Sequence, residues 1–144
     1  MATRSRRPAQ RRTTCPCGGP SFDTCCGPII ADPTSAQSPE SLMRSRYTAY
    51  ATANLDHLVA TWHPDHCPAQ IPLPPGIRWH GLTVLDTTPP KEDPNGTTGW
   101  VTFEARCRDG QRRLVLAERS RFDLIDGRWL YVDGIALTPG GTGA

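Results

Sequence analysis

Four cysteines stand close together near the start of the chain. They form two pairs, Cys15 with Cys17 and Cys25 with Cys26, within twelve residues of sequence. Four thiolates match the tetrahedral, all-sulfur coordination of structural zinc, and the glycines and proline between the pairs allow the chain to turn back on itself. So short a polar segment has no core of its own, so metal binding would be what folds it. The cluster predicts a knuckle over residues 15–30 that holds one structural Zn²⁺.

The other two cysteines have ordinary structural explanations. Cys107 falls on the apolar face of a predicted strand and is expected in the core. Cys67 lies near His63 and His66, and histidine rings also bind metals. The prolines around this segment, however, are typical of a helix end, and a helix end accounts for the segment without a metal. A second metal site is therefore not predicted.

The chain ends in two tails of unusual composition. Residues 1–14 contain five of the 16 basic residues and no acidic residue, so they are predicted to be a disordered basic tail. The alternative is an arm that binds the phosphates of RNA or an acidic protein surface. The glycine-rich residues 138–144 are predicted to be flexible as well. No apolar run approaches the roughly 20 residues that span a bilayer, and nothing resembles a secretion signal, so we expect a cytoplasmic protein without membrane contact. The five arginines are Arg4, Arg6, Arg7, Arg11 and Arg12.

Two short amphipathic helices are predicted in the middle of the chain. Residues 38–40 have the features of a helix start: a capping hydroxyl, a proline in the first turn and a carboxylate near the positive end of the helix dipole. The first helix covers residues 40–53. Asn54 can cap a second helix, which ends before Pro64. The apolar stripe of the first helix is Met43, Tyr47 and Tyr50, and that of the second is Leu55, Leu58, Val59 and Trp62.

The rest of the domain is predicted to be β-structure. Turn signals at Asp109-Gly110 and Asp126-Gly127 separate runs in which apolar and polar residues alternate. Such alternation is typical of an antiparallel sheet with one face in the core and one in solvent. The sequence thus predicts an α+β domain over residues 31–137, with two helices on a four-stranded antiparallel sheet and a core separate from the knuckle. The predicted strands are Arg78–Thr87, Gly99–Arg108, Arg112–Ile125 and Arg128–Ile135.

Glu118 breaks the pattern of the third strand, because its side chain shares a face with Leu116 and Phe122. A carboxylate on a core face costs free energy unless it is paired, hydrogen-bonded or directed at a cavity. The interpretation we favour is a structural ion pair with Arg46, or less favourably Arg44, on the first helix. The alternative is a concave ligand pocket. Its lining would be Arg46, Tyr47, Trp62, Glu118, Ser120 and Tyr131.

Several segments together resemble the YchJ family, a group of largely uncharacterised bacterial proteins. The resemblance runs from about residue 15 to residue 134, and its most specific part ends at residue 50. It implies a SEC-C zinc motif followed by a domain similar to nuclear transport factor two, a cone-like fold in which helices cover a curved sheet. The segments that carry it are Cys15–Gly18, Cys25–Pro28, Ser38–Glu40, Leu42–Tyr50, Thr61–Pro64, Arg78–Leu82, Glu118–Phe122 and Trp129–Gly134.

The resemblance also implies ligands and partners for the knuckle. The zinc ligands would be Cys15, Cys17, Cys25 and Cys26. SEC-C motifs are similar to the zinc-binding tail of the SecA preprotein translocase, which engages a partner protein and the ribosome, so a protein or ribosome partner is implied here. The loop between the cysteine pairs is one residue shorter than the family pattern, and it lacks the lysines of SecA-type motifs.

Two functions are compatible with these features. The one we favour is an adaptor, in which the knuckle docks on a macromolecule and the cone domain binds a partner or small ligand. The alternative is a small isomerase- or dehydratase-like enzyme with Glu118 as general base and Tyr47 or Tyr131 donating to an oxyanion. A Glu118 tied to Arg46 would favour the adaptor. A Glu118 without an arginine partner, in a pocket beside a tyrosine, would favour the enzyme.

Overall fold

Three α-helices and four β-strands form the regular structure of the chain in the computed structural model, which describes residues 14–94 and 96–137. The two predicted tails fall outside these ranges, apart from Thr14. No helix in the described part of the chain combines the length and the apolar character that crossing a bilayer requires. The predicted α+β class, with helices on a four-stranded antiparallel sheet, is confirmed.

Helix α1 spans Cys26–Ala31, α2 spans Pro39–Ala51 and α3 spans Leu55–Ala60. Helix α2 begins at a reciprocal cap, in which the Ser38 hydroxyl accepts from the Ser41 backbone N–H at 3.1 Å and the Ser41 hydroxyl accepts from the Ser38 N–H at 3.2 Å. It ends earlier than predicted, because Ala53 adopts a left-handed backbone with φ of 57°. Helix α1 has no counterpart in the sequence predictions. Single 3₁₀ turns at Phe22–Thr24 and Pro33–Ser35 flank it.

The sheet is an antiparallel meander in the order β1-β2-β3-β4. Strand β1 spans Ile77–Asp93, β2 spans Gly96–Asp109, β3 spans Arg112–Ile125 and β4 spans Arg128–Leu137. Strand β4 is thus two residues longer than predicted. The tight turns after β2 and β3 contain Gly110 and Gly127 at φ of 65° and 81°, a conformation that favours glycine. Strand β1 is longer than predicted and reaches Asp93 through three register shifts.

One hydrophobic core joins the helices, the sheet and the cysteine segment. Helix α2 packs on the face of the sheet that presents the alternating buried side chains of β2. Three of the four clustered cysteines and Ile29 of α1 belong to the same continuous cluster of buried residues. The prediction of a core separate from the knuckle is therefore wrong. The cluster includes Cys15, Cys17, Cys26, Ile29, Leu42, Met43, Tyr47, Val101, Phe103, Ala105 and Phe122.

The predicted apolar stripe of the second helix is only partly buried. Leu58 is fully buried, but Leu55 is 45% exposed and Val59 is 51% exposed. Trp62 is half-buried and lies beyond the end of α3, where the chain forms a parallel bridge with Tyr131. The Tyr131 backbone donates to the Thr61 carbonyl at 2.8 Å, and the His63 N–H donates to the Tyr131 carbonyl at 2.8 Å. This bridge, rather than helical periodicity, determines how the segment meets the sheet.

Two neighbouring residues of α3 allow a direct test of this orientation. We expect Leu58→Ala to lower the free energy of unfolding by about 2–5 kcal/mol, because it leaves a cavity in the core. Val59→Ala, one position further on, should change it by less than about 0.5 kcal/mol, because the side chain is half in solvent. Denaturant unfolding of the two variants measures both values. Equal destabilisation by the two changes would contradict this placement of α3.

Candidate functional site

The structure brings the four predicted metal ligands together. All four sulfur atoms lie within 4.8 Å of one another, with 3.4 Å between the Cys17 and Cys25 sulfurs and 3.9 Å between those of Cys25 and Cys26. In a tetrahedral site with zinc–sulfur bonds of about 2.3 Å, neighbouring sulfurs are about 3.8 Å apart. The tighter loop between the pairs thus still allows the thiols to converge. No other group of three or more potential metal ligands occurs within residues 14–94 and 96–137.

Close packing inside this loop requires glycine at position 19, one of the two glycines that were predicted to let the chain turn back on itself. A Cβ atom on Gly19 would lie 2.8 Å from the Cys25 sulfur, closer than real side chains approach. The backbone N–H of Cys15 also donates to the Gly19 carbonyl at 3.2 Å, which closes the loop. Gly19 therefore allows the first cysteine pair to fold over the second.

Helix α2 supplies polar contacts to the cluster. The Thr48 hydroxyl, which is fully buried, lies 3.4 Å from the Cys26 sulfur and 3.8 Å from the Cys15 sulfur. Arg44 donates to the Cys17 carbonyl at 3.2 Å and lies 3.9 Å from its sulfur, while its Nε pairs with Glu40 at 2.9 Å. Hydrogen-bond donors around thiolates orient them and stabilise their charge. Neither residue was recognised from the sequence, because an i, i+4 Glu–Arg pair and a helix threonine are common in surface helices.

The thiols influence one another strongly. The hydrogen bond from Cys26 is the largest influence on Cys17 and lowers the pKa of its thiol to about 4. Burial, followed by the interaction with Cys17, raises the pKa of Cys25 to about 12, and the Cys17 interaction raises the pKa of Cys26 further. The thiolate of Cys17 is thus stabilised by the thiols of Cys25 and Cys26, which keep their protons. A bound dication would remove this competition, because its charge stabilises all four thiolates at once.

A second group of polar side chains surrounds Glu118 on the helix-facing side of the sheet. Its Oε2 atom accepts from the Ser120 hydroxyl at 2.7 Å and from the Tyr131 hydroxyl at 3.0 Å. In the described part of the chain no hydrogen bond and no ion pair reaches its other oxygen, Oε1. The carboxylate lies directly over Gly134, where a Cβ atom would overlap it. Gly134 is thus a further residue that the sequence analysis did not assign to the site.

A bulge explains why Gly134 lies beside Glu118. Strand β4 pairs with β3 in one register up to Phe122 and Tyr131, and the register shifts by one residue between Arg121 and Phe122. Without that shift Ile135 would lie opposite Glu118, whereas with it Ala136 takes that place and Ile135 is 56% exposed. The bulge replaces a large apolar neighbour with small ones and makes room for the carboxylate.

The favoured ion pair between Glu118 and Arg46 is wrong. Arg46 is 6% exposed and directs its NH1 group at the Leu58 carbonyl at 3.1 Å and the Thr61 hydroxyl at 2.8 Å. Its guanidinium carbon lies 4.6 Å from the ring centre of Trp62 and 4.4 Å from that of Tyr131. Burial lowers the pKa of Arg46 to about 10, so the group remains a cation at neutral pH. The alternative partner is also engaged elsewhere, since Arg44 pairs with Glu40.

A small cavity of about 90 Å³ lies between α2 and the sheet at Glu118. Five of the six predicted pocket residues line it: Arg46, Tyr47, Glu118, Ser120 and Tyr131. Trp62 does not, because it lies against the guanidinium of Arg46 instead. Tyr50 completes the wall, together with Met43, Phe103 and Phe122. We call this cavity the polar chamber.

A larger groove of about 580 Å³ adjoins the polar chamber, and Tyr50 lines both. The groove lies between the C-terminal end of α2, the proline-rich segment before β1 and the far end of the sheet. We call it the apolar groove, because almost all its side chains are apolar. It is lined by Tyr50, Ala51, Ala53, residues 72–77, Trp79, Cys107, Leu114, Val115 and Leu116. This groove could not be predicted from the sequence, since the segment between the second helix and the first strand carries no periodic pattern.

Comparison with known proteins identifies the family. Residues 38–134 match the family model described as YchJ, middle NTF2-like domain. A UPF0225 protein of Streptomyces coelicolor is 46% identical over 121 residues, which cover 83% of this chain and 93% of the relative. The chain belongs to the YchJ family. Another UPF0225 protein, from Methylibium petroleiphilum, is 45% identical over 121 residues, with coverage of 83% and 86%.

Two solved structures resemble this YchJ-family chain. The solution structure of RPA3114, a SEC-C motif containing protein from Rhodopseudomonas palustris, has a TM-score of 0.74 and 35% identity, and the match covers 86% of this chain and 98% of that one. The crystal structure of a SEC-C motif containing protein from Psychrobacter arcticus has a TM-score of 0.65, 24% identity and coverage of 91% and 84%, and it supports the fold alone. The resemblance inferred from the sequence motifs is confirmed.

The contact between Thr48 and the cysteines can be tested through metal affinity. Thr48→Val removes the buried hydroxyl but keeps the shape of the side chain, and we expect it to weaken metal binding by about 10–100-fold, as for other outer-shell changes. Competition with a chromophoric chelator measures the affinity. Thr48→Ser keeps the hydroxyl and should retain most of the affinity. If Thr48→Val binds metal as tightly as the unaltered protein, the hydroxyl does not support the site.

Proposed function

We propose that this YchJ-family protein is a zinc-braced binding protein that takes up a small ligand on the helix-facing side of its sheet. The observation that carries the proposal is the Glu118 carboxylate, which lines the polar chamber next to the apolar groove and whose Oε1 atom accepts no hydrogen bond from any described residue. Binding sites combine a largely apolar lining with a few polar groups that orient the ligand. The groove falls within the usual size range for small-molecule sites, about 300–1,000 Å³.

The donor set supports zinc as the metal. Four cysteine sulfurs at near-tetrahedral spacing suit Zn²⁺ better than oxygen-preferring ions such as Mg²⁺ or Ca²⁺. The cluster is closed by four protein ligands, which is typical of a structural rather than a catalytic zinc site. Its burial against α2 makes it a brace for the helix that also carries Arg46, Tyr47 and Tyr50 into the chamber.

Binding explains the chamber better than catalysis does. Among the described residues Glu118 has no arginine partner, and it lies beside a tyrosine, which is the arrangement that would favour an enzyme. Of the two predicted donors to an oxyanion, however, Tyr131 already donates its proton to Glu118, and Tyr47, which also lines the chamber, makes no hydrogen bond to Glu118 within the described residues. Both the carboxylate charge and this interaction raise the pKa of Tyr131, after burial, above its usual range. A site of this kind holds a polar group in place without an evident proton relay.

The partners and location inferred from the sequence stay predictions. They comprise the docking of the knuckle on a protein or the ribosome, the contact of the N-terminal arginines with RNA, and the cytoplasmic location. Those arginines lie outside the described residues.

The zinc proposal predicts metal content and a shared loss of stability. Purified protein should contain about one zinc per chain. Because the cysteines belong to the common core, removal of the metal by a chelator should lower the unfolding midpoint of the whole domain in one transition. Elemental analysis and denaturant unfolding by circular dichroism measure the two effects. A Cys25→Ser/Cys26→Ser variant should mimic the chelator, whereas Cys67→Ser, outside the cluster, should not. Metal-free protein with an unchanged midpoint would contradict the brace.

The ligand proposal predicts saturable binding of a neutral apolar dye. We expect Nile red to bind the zinc-loaded protein with one-to-one stoichiometry and increased fluorescence, because the apolar groove removes it from water. Leu116→Asn, in the groove, should weaken this binding by about tenfold or more, since it places a polar group against the dye. Ile135→Asn, on an exposed apolar residue outside the groove, should leave it unchanged. Absence of saturable binding, or equal effects of the two variants, would refute a ligand site in the groove.

A further inference from the structure

The hydrogen bonds inside the polar chamber determine which groups it can still receive. The hydroxyls of Ser120 and Tyr131 each have a single proton, and both donate it to Oε2 of Glu118. Their oxygens can therefore offer only lone pairs to anything else in the chamber. The free Oε1 atom of Glu118 is likewise an acceptor when the carboxylate is ionised. The wall of the chamber around Glu118 thus calls for a hydrogen-bond donor.

The charges in the chamber limit the charge of that donor. The wall contains one carboxylate, Glu118, and one buried cation, Arg46, whose NH1 group is fixed by the end of α3. These two charges attract each other, as the effect of Glu118 on the pKa of Arg46 indicates. A cationic group brought to Glu118 would also approach Arg46, and an anionic group brought to Arg46 would approach Glu118. In a buried site such like-charge contacts are costly, so a neutral group fits best.

The sizes of the two cavities divide the ligand into a small head and a larger body. A volume of about 90 Å³ corresponds to roughly three waters at about 30 Å³ each, so the chamber accommodates only a few non-hydrogen atoms. The apolar groove, at about 580 Å³, accommodates a ring system or a branched chain. Tyr50 is the shared wall, and its ring lies 6.5 Å from that of Trp79 in the groove.

We propose that the site binds a neutral amphipathic molecule, which donates a hydroxyl or amide hydrogen to Oε1 of Glu118 and places an apolar body in the groove. This rests on the proposed function, because it specifies the ligand of the same site. Glu118 with Ser120, Tyr131 and Gly134 forms the acceptor that selects the head group. Arg46 acts through charge, by disfavouring an amine in place of a hydroxyl.

Three probes with the same apolar body test the head-group preference: 2-naphthol, 2-naphthoate and 2-naphthylmethylammonium. Calorimetric titration of the zinc-loaded protein should show 2-naphthol binding at least about tenfold more tightly than either charged probe, the effect of about one hydrogen bond gained without a charge penalty. Tighter or equal binding of 2-naphthoate would mean that Arg46 selects the head. Tighter or equal binding of the ammonium probe would mean that Glu118 acts as an unopposed anion. Either result overturns the proposal.

Variants of two glutamates on opposite faces of the sheet show whether Glu118 causes the preference for a neutral head group. Glu118→Gln removes the negative charge but leaves Arg46, so 2-naphthoate should then bind at least as tightly as 2-naphthol. Glu104→Gln, on the outer face of β2, should keep the original ranking. An unchanged ranking in Glu118→Gln would overturn the proposal. If Glu118→Gln does not fold, as judged by its thermal transition, the ranking in the unaltered protein decides alone.

The same experiments separate this inference from the proposed function. If neither Nile red nor any naphthyl probe binds, the ligand site itself is wrong, and the inference fails with it. If Nile red binds in the groove but the three naphthyl probes bind equally, the proposed function stands and the inferred ligand class is wrong.

Discussion

The burial of helix α2 on several sides is the constraint on which the other features of the structure depend. Eight of its 13 residues are buried, which is far more than one amphipathic stripe requires. Thr48 meets the cysteine sulfurs, Tyr47 belongs to the core on the sheet, and Arg46 reaches the end of α3. A helix of this length is marginal in water by itself, so its stability comes from these three neighbours. Because they share one helix, a disturbance of any one of them is felt by the other two.

The buried guanidinium of Arg46 determines how the charges around helix α2 are arranged. A buried cation needs compensation, and here a carbonyl, a hydroxyl and two aromatic rings provide it. Glu118 influences it only at longer range. Since dipoles and rings satisfy the cation, the Glu118 carboxylate forms no salt bridge with any residue that the structure describes and remains available to the cavity. The opposite charges of Arg46 and Glu118 are therefore both present at the site but are held apart rather than paired. His57, which is buried beside Arg46 and hydrogen-bonded to Ser45 at 2.9 Å, adds no further charge, because burial and the nearby cation lower its pKa to about 4.

The sheet could be predicted from the sequence more completely than the helices. Alternation along a strand reports directly on which face is buried, and the predicted bounds of Arg112–Ile125 agree with those of β3. Helix α3 has only six residues, so its few apolar side chains do not determine which side faces the core. The phase of Glu118 was predictable, and its neighbours Ser120 and Tyr131 were among the predicted pocket residues. The space over Gly134 that receives the carboxylate was not predictable, because it depends on a bulge in β4, and a single inserted residue leaves no clear mark in the sequence pattern. The cysteine ligands were evident from their spacing, whereas Thr48 and Gly134 acquire their roles only through contacts between distant segments.

The two outer strands of the sheet differ in their capacity to pair with another chain. Strand β1 carries Pro89 and Pro90 and three register shifts, so its free edge offers an interrupted series of hydrogen-bonding groups. On the β4 edge, the backbone of Tyr131 is already paired with the chain around Trp62. Only residues 133–137 of β4 remain as a regular, exposed edge within the described part of the chain. Among the described residues, the edges of the sheet therefore differ in how well they can accept a strand from another molecule. The corner at the end of β4 is the regular one, whereas the prolines and register shifts of β1 oppose pairing along the other edge.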